Sequence, residues 1–193
     1  MLDPRVRAAR LAEDFAPLGL RMAALYGSAA RDGFDPVHSD VNLLLVFAGL
    51  DGAALGALAG PLQLARVSWR CAPLVLTEAE LGALGQGFPI KLHGMRRDYT
   101  ILAGEDLLSG QEPARAELGQ EAERVLRNVA LKLRRAELSA RPDPGPVLEA
   151  LRQPEQGVHE VLVLQGKAGP RLQEVIDLAR SRGITLRFVP AQR

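Results

Sequence analysis

Apolar residues recur along this 193-residue chain with two different periods, and each change of period marks a change of element. From Pro4 to about Leu18 the positions Val6, Leu11, Phe15 and Leu18 return at near-helical spacing, which predicts a helix capped by Asp3 with Pro4 at its first position. Gly19 ends it. Leu20 to Tyr26 and Asp40 to Phe47 are short apolar runs and predict strands, the second apolar on both faces as a central strand is. Between them Arg31 to His38 carries Gly33 and Pro36 and predicts a loop. Asp51 to Ala65 predicts a helix broken near Gly60-Pro61, Ser68 to Thr77 a third strand, and Thr77 with Glu80 a capping box that opens a short helix. This order predicts an α/β (α+β) fold, a small mixed sheet with helices on one or both faces.

Residues 88–140 read as a helical extension after a core of residues 1–87. It opens with Phe88-Pro89-Ile90-Lys91-Leu92, and Ile101 to Leu108 follows. From Ala114 to Ser139, Leu118, Ala122, Val125, Val129, Leu133 and Ala136 fall three or four apart, the signature of a long amphipathic helix. Its Arg124, Arg127, Lys132, Arg134 and Arg135 read as a solvated face paired with Glu121, Glu123 and Glu137, with phosphate or RNA contact as the alternative. Three prolines and a glycine in Arg141-Pro142-Asp143-Pro144-Gly145-Pro146 predict a stiff linker at 141–146. Beyond it, over 147–193, the pattern restarts: helix Val147 to Leu151, strand His159 to Leu164, helix Pro170 to Ser181, strand Ile184 to Val189. That is a small βαβ appendage.

Composition narrows the class. Hydrophobic content of 47% with 24% charged residues fits a folded globular protein, and a net charge of +1 gives no global case for nucleic-acid binding. Any such binding must rest on a local surface. Cys71 is the sole cysteine, which excludes an intrachain disulfide and reads as a buried small hydrophobe. No apolar run is long enough to span a bilayer and the first residues lack a signal-peptide core, so a cytoplasmic protein with no membrane partner is expected.

The candidate chemistry lies where the first two strands meet their loops. Tyr26-Gly27-Ser28-Ala29-Ala30-Arg31 ends an apolar run, and Ser39-Asp40-Val41-Asn42 opens the next. The missing side chain at Gly27 allows close approach of an anion, Ser28 can donate a hydrogen bond, and residues 40 and 42 share a strand face. The segment resembles the Gly-Ser and Ser-Asp-x-Asp pattern of the DNA polymerase beta-like nucleotidyltransferase superfamily, with Asn42 at the second carboxylate position. That resemblance implies a nucleoside triphosphate held by Gly27, Ser28, Arg31 and Ser39, with Mg2+ at Asp40 and Asn42 and Asp40 as the catalytic carboxylate. The reaction it implies is attack of an acceptor hydroxyl with release of pyrophosphate. Phe88-Pro89-Ile90-Lys91 and Leu102-Ala103-Gly104-Glu105-Asp106-Leu107-Leu108 also resemble segments of stand-alone relatives, with Lys91 where those carry Glu. Two departures point elsewhere. Asn42 carries no charge, and the third strand offers no Asp or Glu, so a degenerate module that binds RNA or a partner protein is the alternative. His38 reads as a surface residue, His93 and His159 have no partner at ligand spacing, and Trp69 reads as packing.

The tail has its own likeness. Val147-Leu148-Glu149-Ala150-Leu151, His159 to Leu164 and Ile176 to Ile184 resemble the substrate-binding domain of SpoU/TrmH-type RNA 2'-O-ribose methyltransferases, a domain that helps hold RNA. The family domain's first strand is replaced here by the linker. The knotted domain that binds S-adenosylmethionine in that family is expected to be absent, with the sequence ending at Arg193.

Overall fold

A computed structural model describes residues 3–32, 34–35 and 39–138. His38, Gly33, Pro36, the 141–146 linker and every element expected in 147–193, with His159, lie outside the described residues. The chain divides into two compact units, Met1–Gly87 with Leu92–Glu112, and Phe88–Lys91 with Pro113–Arg193.

The first unit is built on a four-stranded mixed sheet. Its strands are β1 (Leu20–Tyr26), β2 (Val41–Phe47), β3 (Cys71–Thr77) and β4 (Tyr99–Gly104), in the order β3-β2-β1-β4. β1 runs antiparallel to β2 and to β4, and β2 runs parallel to β3. The parallel pair needs a crossover, which α2 (Gly52–Trp69) supplies. The mixed α/β architecture expected from the pattern is present.

Alternation along β2 sorts the core into two layers. Val41, Leu43, Leu45 and Phe47 pack with Ala8, Ala12 and Phe15 of α1 (Pro4–Phe15) and with Leu58 and Ala65 of α2. Leu44 and Val46 face the other way, onto Leu81 and Leu84 of α3 (Glu78–Gly87) and Leu92 and Met95 of α4 (Pro89–Arg97). Both faces of β2 are therefore covered, as its unbroken apolar run requires. Each fully buried Leu or Phe stabilises the fold by roughly 1.5–3 kcal/mol relative to exposure.

Several local signals act as read. The Asp3 carboxylate accepts the Arg5 N–H at 2.8 Å, and Pro4 opens α1. Gly19 closes the turn after α1 at φ 81°. In the capping box, Thr77 Oγ1 accepts the Glu80 N–H at 3.2 Å and Glu80 Oε2 accepts the Thr77 N–H at 2.7 Å. The Thr77 N–H bond first, and then the Thr77 hydroxyl donating to Glu80 Oε2 at 3.0 Å, hold the Glu80 carboxyl below its ordinary value. Cys71 is buried, and burial pushes its thiol up to about 12.

Other expectations are corrected. α2 runs unbroken through Pro61, because Leu58, Leu62, Ala65 and Trp69 recur on the face it buries and packing outweighs the lost N–H. Ser68 and Trp69 belong to that helix, so the third strand starts only at Cys71. Pro73 sits in β3 without disrupting the sheet since β3 is an edge. α1 buries Ala8 and Ala12, whereas Val6 is exposed. The stretch read as a helical extension contains a strand, β4, paired with β1.

In the second unit α5 (Arg115–Leu138) buries Leu118 and Ala122 against Ile90. Its basic residues pair along the helix as expected where side chains are described: Arg124 Nε donates to Glu121 Oε2 at 2.6 Å and Arg127 lies 3.3 Å from Glu123. The side chains of Val129 and of residues 132–138 lie outside the described set.

Candidate ligand site at the Gly27 turn

β1 ends at Tyr26, and Gly27–Ala30 form one turn of 3-10 helix. Gly27 takes φ +68°, a conformation glycine adopts without strain. A side chain there would meet Asn42 Nδ2 at 3.4 Å, so the turn lies directly against the start of β2. The ladder agrees, since Leu25 pairs with Leu43. Thus the two segments singled out in the sequence, Gly27-Ser28 and Asp40-Val41-Asn42, are neighbours in space.

The N–H groups at the two ends of the turn are already engaged. Gly27 N–H donates to the Asp98 carbonyl at 2.8 Å, and Arg31 N–H donates to the Ser28 carbonyl at 3.2 Å. Ser39 N–H donates to the Asp35 carbonyl at 3.0 Å. Ser28 and Ser39 are half-buried and Asp40 is exposed. Arg31 turns toward β4, its Nε 3.7 Å from Asp98 Oδ2, and Arg97 Nε lies 2.7 Å from the same oxygen. The Arg5 guanidinium also donates to the Arg31 carbonyl.

On the other side, the register of β2 with β3 decides what faces Asp40 and Asn42. Val41 pairs with Cys71 and Asn42 with Ala72, so the residue level with Asp40 is Arg70. Its Nε and Nη2 lie 3.0 and 2.9 Å from Asp40 Oδ1. The residue before β3 and the strand itself therefore present an arginine and an alanine where a third carboxylate would be needed. Among the described residues, no group of three or more His, Cys, Asp or Glu is placed to hold a metal ion.

Asp40 in an ion pair, Asn42 neutral and Ala72 alongside do not fit a two-metal centre, which needs clustered anionic oxygens. His93, half-buried on α4, is kept below its ordinary value first by burial and then by Arg97 and Arg96. Reading the sequence alone missed Arg70, Arg97 and Asp98. Nothing local marks Arg70 as the partner of Asp40, because the pairing exists only through the β2–β3 register.

The second segment compared with stand-alone relatives sits at the opposite end of the sheet. Gly104 (φ +79°) has no room for a side chain, since a Cβ would fall 1.9 Å from the Arg21 carbonyl oxygen. Asp106 Oδ1 accepts the N–H groups of Leu108 and Ser109 at 3.1 and 3.0 Å, and Tyr99 Oη donates to Asp106 Oδ2 at 2.8 Å. Arg21 pairs with Glu78 at 3.0 Å and Glu105 at 3.3 Å, and Leu108 is fully buried. These residues tie β4 to β1.

Comparison with known proteins bears on the tail. Residues 145–193 match the family model described as RNA 2'-O ribose methyltransferase substrate binding, about a quarter of the chain. No curated protein matches the chain. Among the described residues no helix is long and apolar enough to cross a membrane.

Proposed function

We propose that this protein is a non-catalytic RNA-binding module, in which residues 145–193 engage structured RNA and the sheet unit is a nucleotidyltransferase-like scaffold without working metal chemistry. The observation that carries this is the family match over 145–193. Two things support it. The 145–193 segment carries seven Arg or Lys against five Asp or Glu, a modest local excess that suits phosphate contact with mild salt dependence. At the Gly27 turn, the Asp40–Arg70 pair and neutral Asn42 speak against catalysis.

The test is fluorescence anisotropy of a labelled stem-loop RNA, titrated with the full chain and with a chain ending at Leu138. Binding by the full chain that is lost on truncation is expected. Equal affinity of the two chains overturns the reading.

A second reading is favoured by the closeness of Gly27 to Asn42, whose amide lies 3.4 Å from where a Cβ on Gly27 would stand. There, Gly27, Ser28, Arg31, Ser39, Asp40 and Asn42 bind a nucleoside triphosphate, with nucleotide transfer to an acceptor hydroxyl as its enzymatic form. Calorimetry with ATP, with and without Mg2+, beside a radiolabelled transfer assay, separates the two: Mg2+-dependent binding with transfer that Asp40→Ala abolishes supports the second.

A further inference from the structure

The Arg70 side chain replaces more than a missing contact. We propose that its guanidinium occupies the place of a divalent cation at Asp40, so that this chain carries its own fixed cation and excludes Mg2+ from the site. The inference rests on the reading of positions 40 and 42 as a carboxylate pair whose second member has become Asn42.

Three observations converge. First, the parallel register places Arg70 level with Asp40, and its Nε and Nη2 lie 3.0 and 2.9 Å from the single oxygen Oδ1. A metal ion would seek the same lone pairs. Second, among these four positions charge is matched without a metal: Asp40 and Arg70 cancel, Asn42 adds none, and Ala72 supplies none. An incoming dication would meet a guanidinium where it needs a second carboxylate. Third, Arg70 is held at φ 57° and ψ 34° as the C-cap of α2, and among the described residues it alone is a non-glycine at positive φ. Glycine is the usual residue at such a helix end, and although a cation there also suits the helix dipole, the left-handed backbone itself gives no reason for a long side chain. Its backbone is fixed too, since the Arg70 carbonyl accepts the Val41 N–H at 3.0 Å. The guanidinium is thereby delivered to Asp40 by a rigid junction between helix and sheet.

The experiment uses the full chain in four forms: unaltered, Asn42→Asp, Arg70→Gly, and Asn42→Asp with Arg70→Gly. Arg70→Gly suits the left-handed backbone, and Arg70→Asn, also at ease there, serves if the glycine variant melts early by circular dichroism. Mn2+ binding is followed by electron paramagnetic resonance and by calorimetry. The double variant is expected to gain a site with Kd on the order of 1 mM or tighter, at least roughly tenfold tighter than the other three. Tight Mn2+ binding by the unaltered chain or by Asn42→Asp alone overturns the exclusion by Arg70 while leaving the carboxylate-pair reading in place. No binding by the folded double variant overturns that underlying reading, and the proposal with it.

Discussion

The two ends of the β1–β2 pair carry similar ingredients and use them differently. At one end Gly104 sits at φ +79° among Arg21, Glu78, Glu105 and Asp106, and an added Cβ would lie 1.9 Å from backbone. At the other Gly27 sits at φ +68° among Arg31, Asp40, Arg70 and Asp98, and an added Cβ would meet only the Asn42 amide at 3.4 Å. The first glycine is fixed by close packing of main chain, the second by its own backbone angle beside a polar opening. A segment that looks like a family signature can thus be a clasp of the fold at one end of a sheet, while a similar glycine at the other end is fixed by its backbone angle alone.

That contrast is sharpest in the glycines themselves. Gly104→Ala is expected to destabilise the protein by about 3 kcal/mol or more, because backbone must shift to admit the methyl group, and urea denaturation will measure it. Asp106→Ala removes the acceptor of two backbone N–H groups and of the Tyr99 hydroxyl, with an expected loss of about 2 kcal/mol. It also has a pH signature. The Tyr99 phenol is held above its ordinary value, first by the bond to Asp106 and then by burial. The stability this bond contributes is full below the ordinary phenol value and is lost as pH rises through the raised one. In Asp106→Ala an absorbance titration will show Tyr99 returning toward its ordinary value.

At the opposite end the expected effects shrink. Gly27→Ala costs about 1 kcal/mol, the strain of a left-handed alanine with no backbone collision. A loss as large as that of Gly104→Ala would erase the distinction between the two ends. Arg70→Gly is expected to fall within about 0.5 kcal/mol of the unaltered protein. Loss of a half-exposed ion pair and relief of a positive φ are both small and oppose each other.

Much of the sheet was readable from residues alone. β1 spans Leu20–Tyr26 as expected, β2 starts one residue later than expected, and the Asp3 and Thr77–Glu80 caps form the bonds their side chains allow. What escaped was set by tertiary structure. Pro61 reads locally as a break, yet burial on the α2 face carries the helix through it. β4 is short and partly exposed, and gains its identity only by pairing with β1. At the candidate site, Gly27, Ser28 and Asn42 were visible as a pattern, but Arg70 and Asp98 reach it from the positions just before β3 and β4, far away in sequence. The significance of Arg70 lies in register and that of Asp98 in a loop contact with Gly27, and composition carries no trace of either.

The central claim is that RNA is held by the tail while the Gly27 turn does no transfer chemistry. Photo-cross-linking of the full chain to a 4-thiouridine-substituted stem-loop, with the attached peptides identified by mass spectrometry, asks this most directly. Cross-links concentrated in residues 145–193 are predicted. Cross-links confined to the peptides around Gly27 and Asp40, or none at saturating RNA, would contradict it.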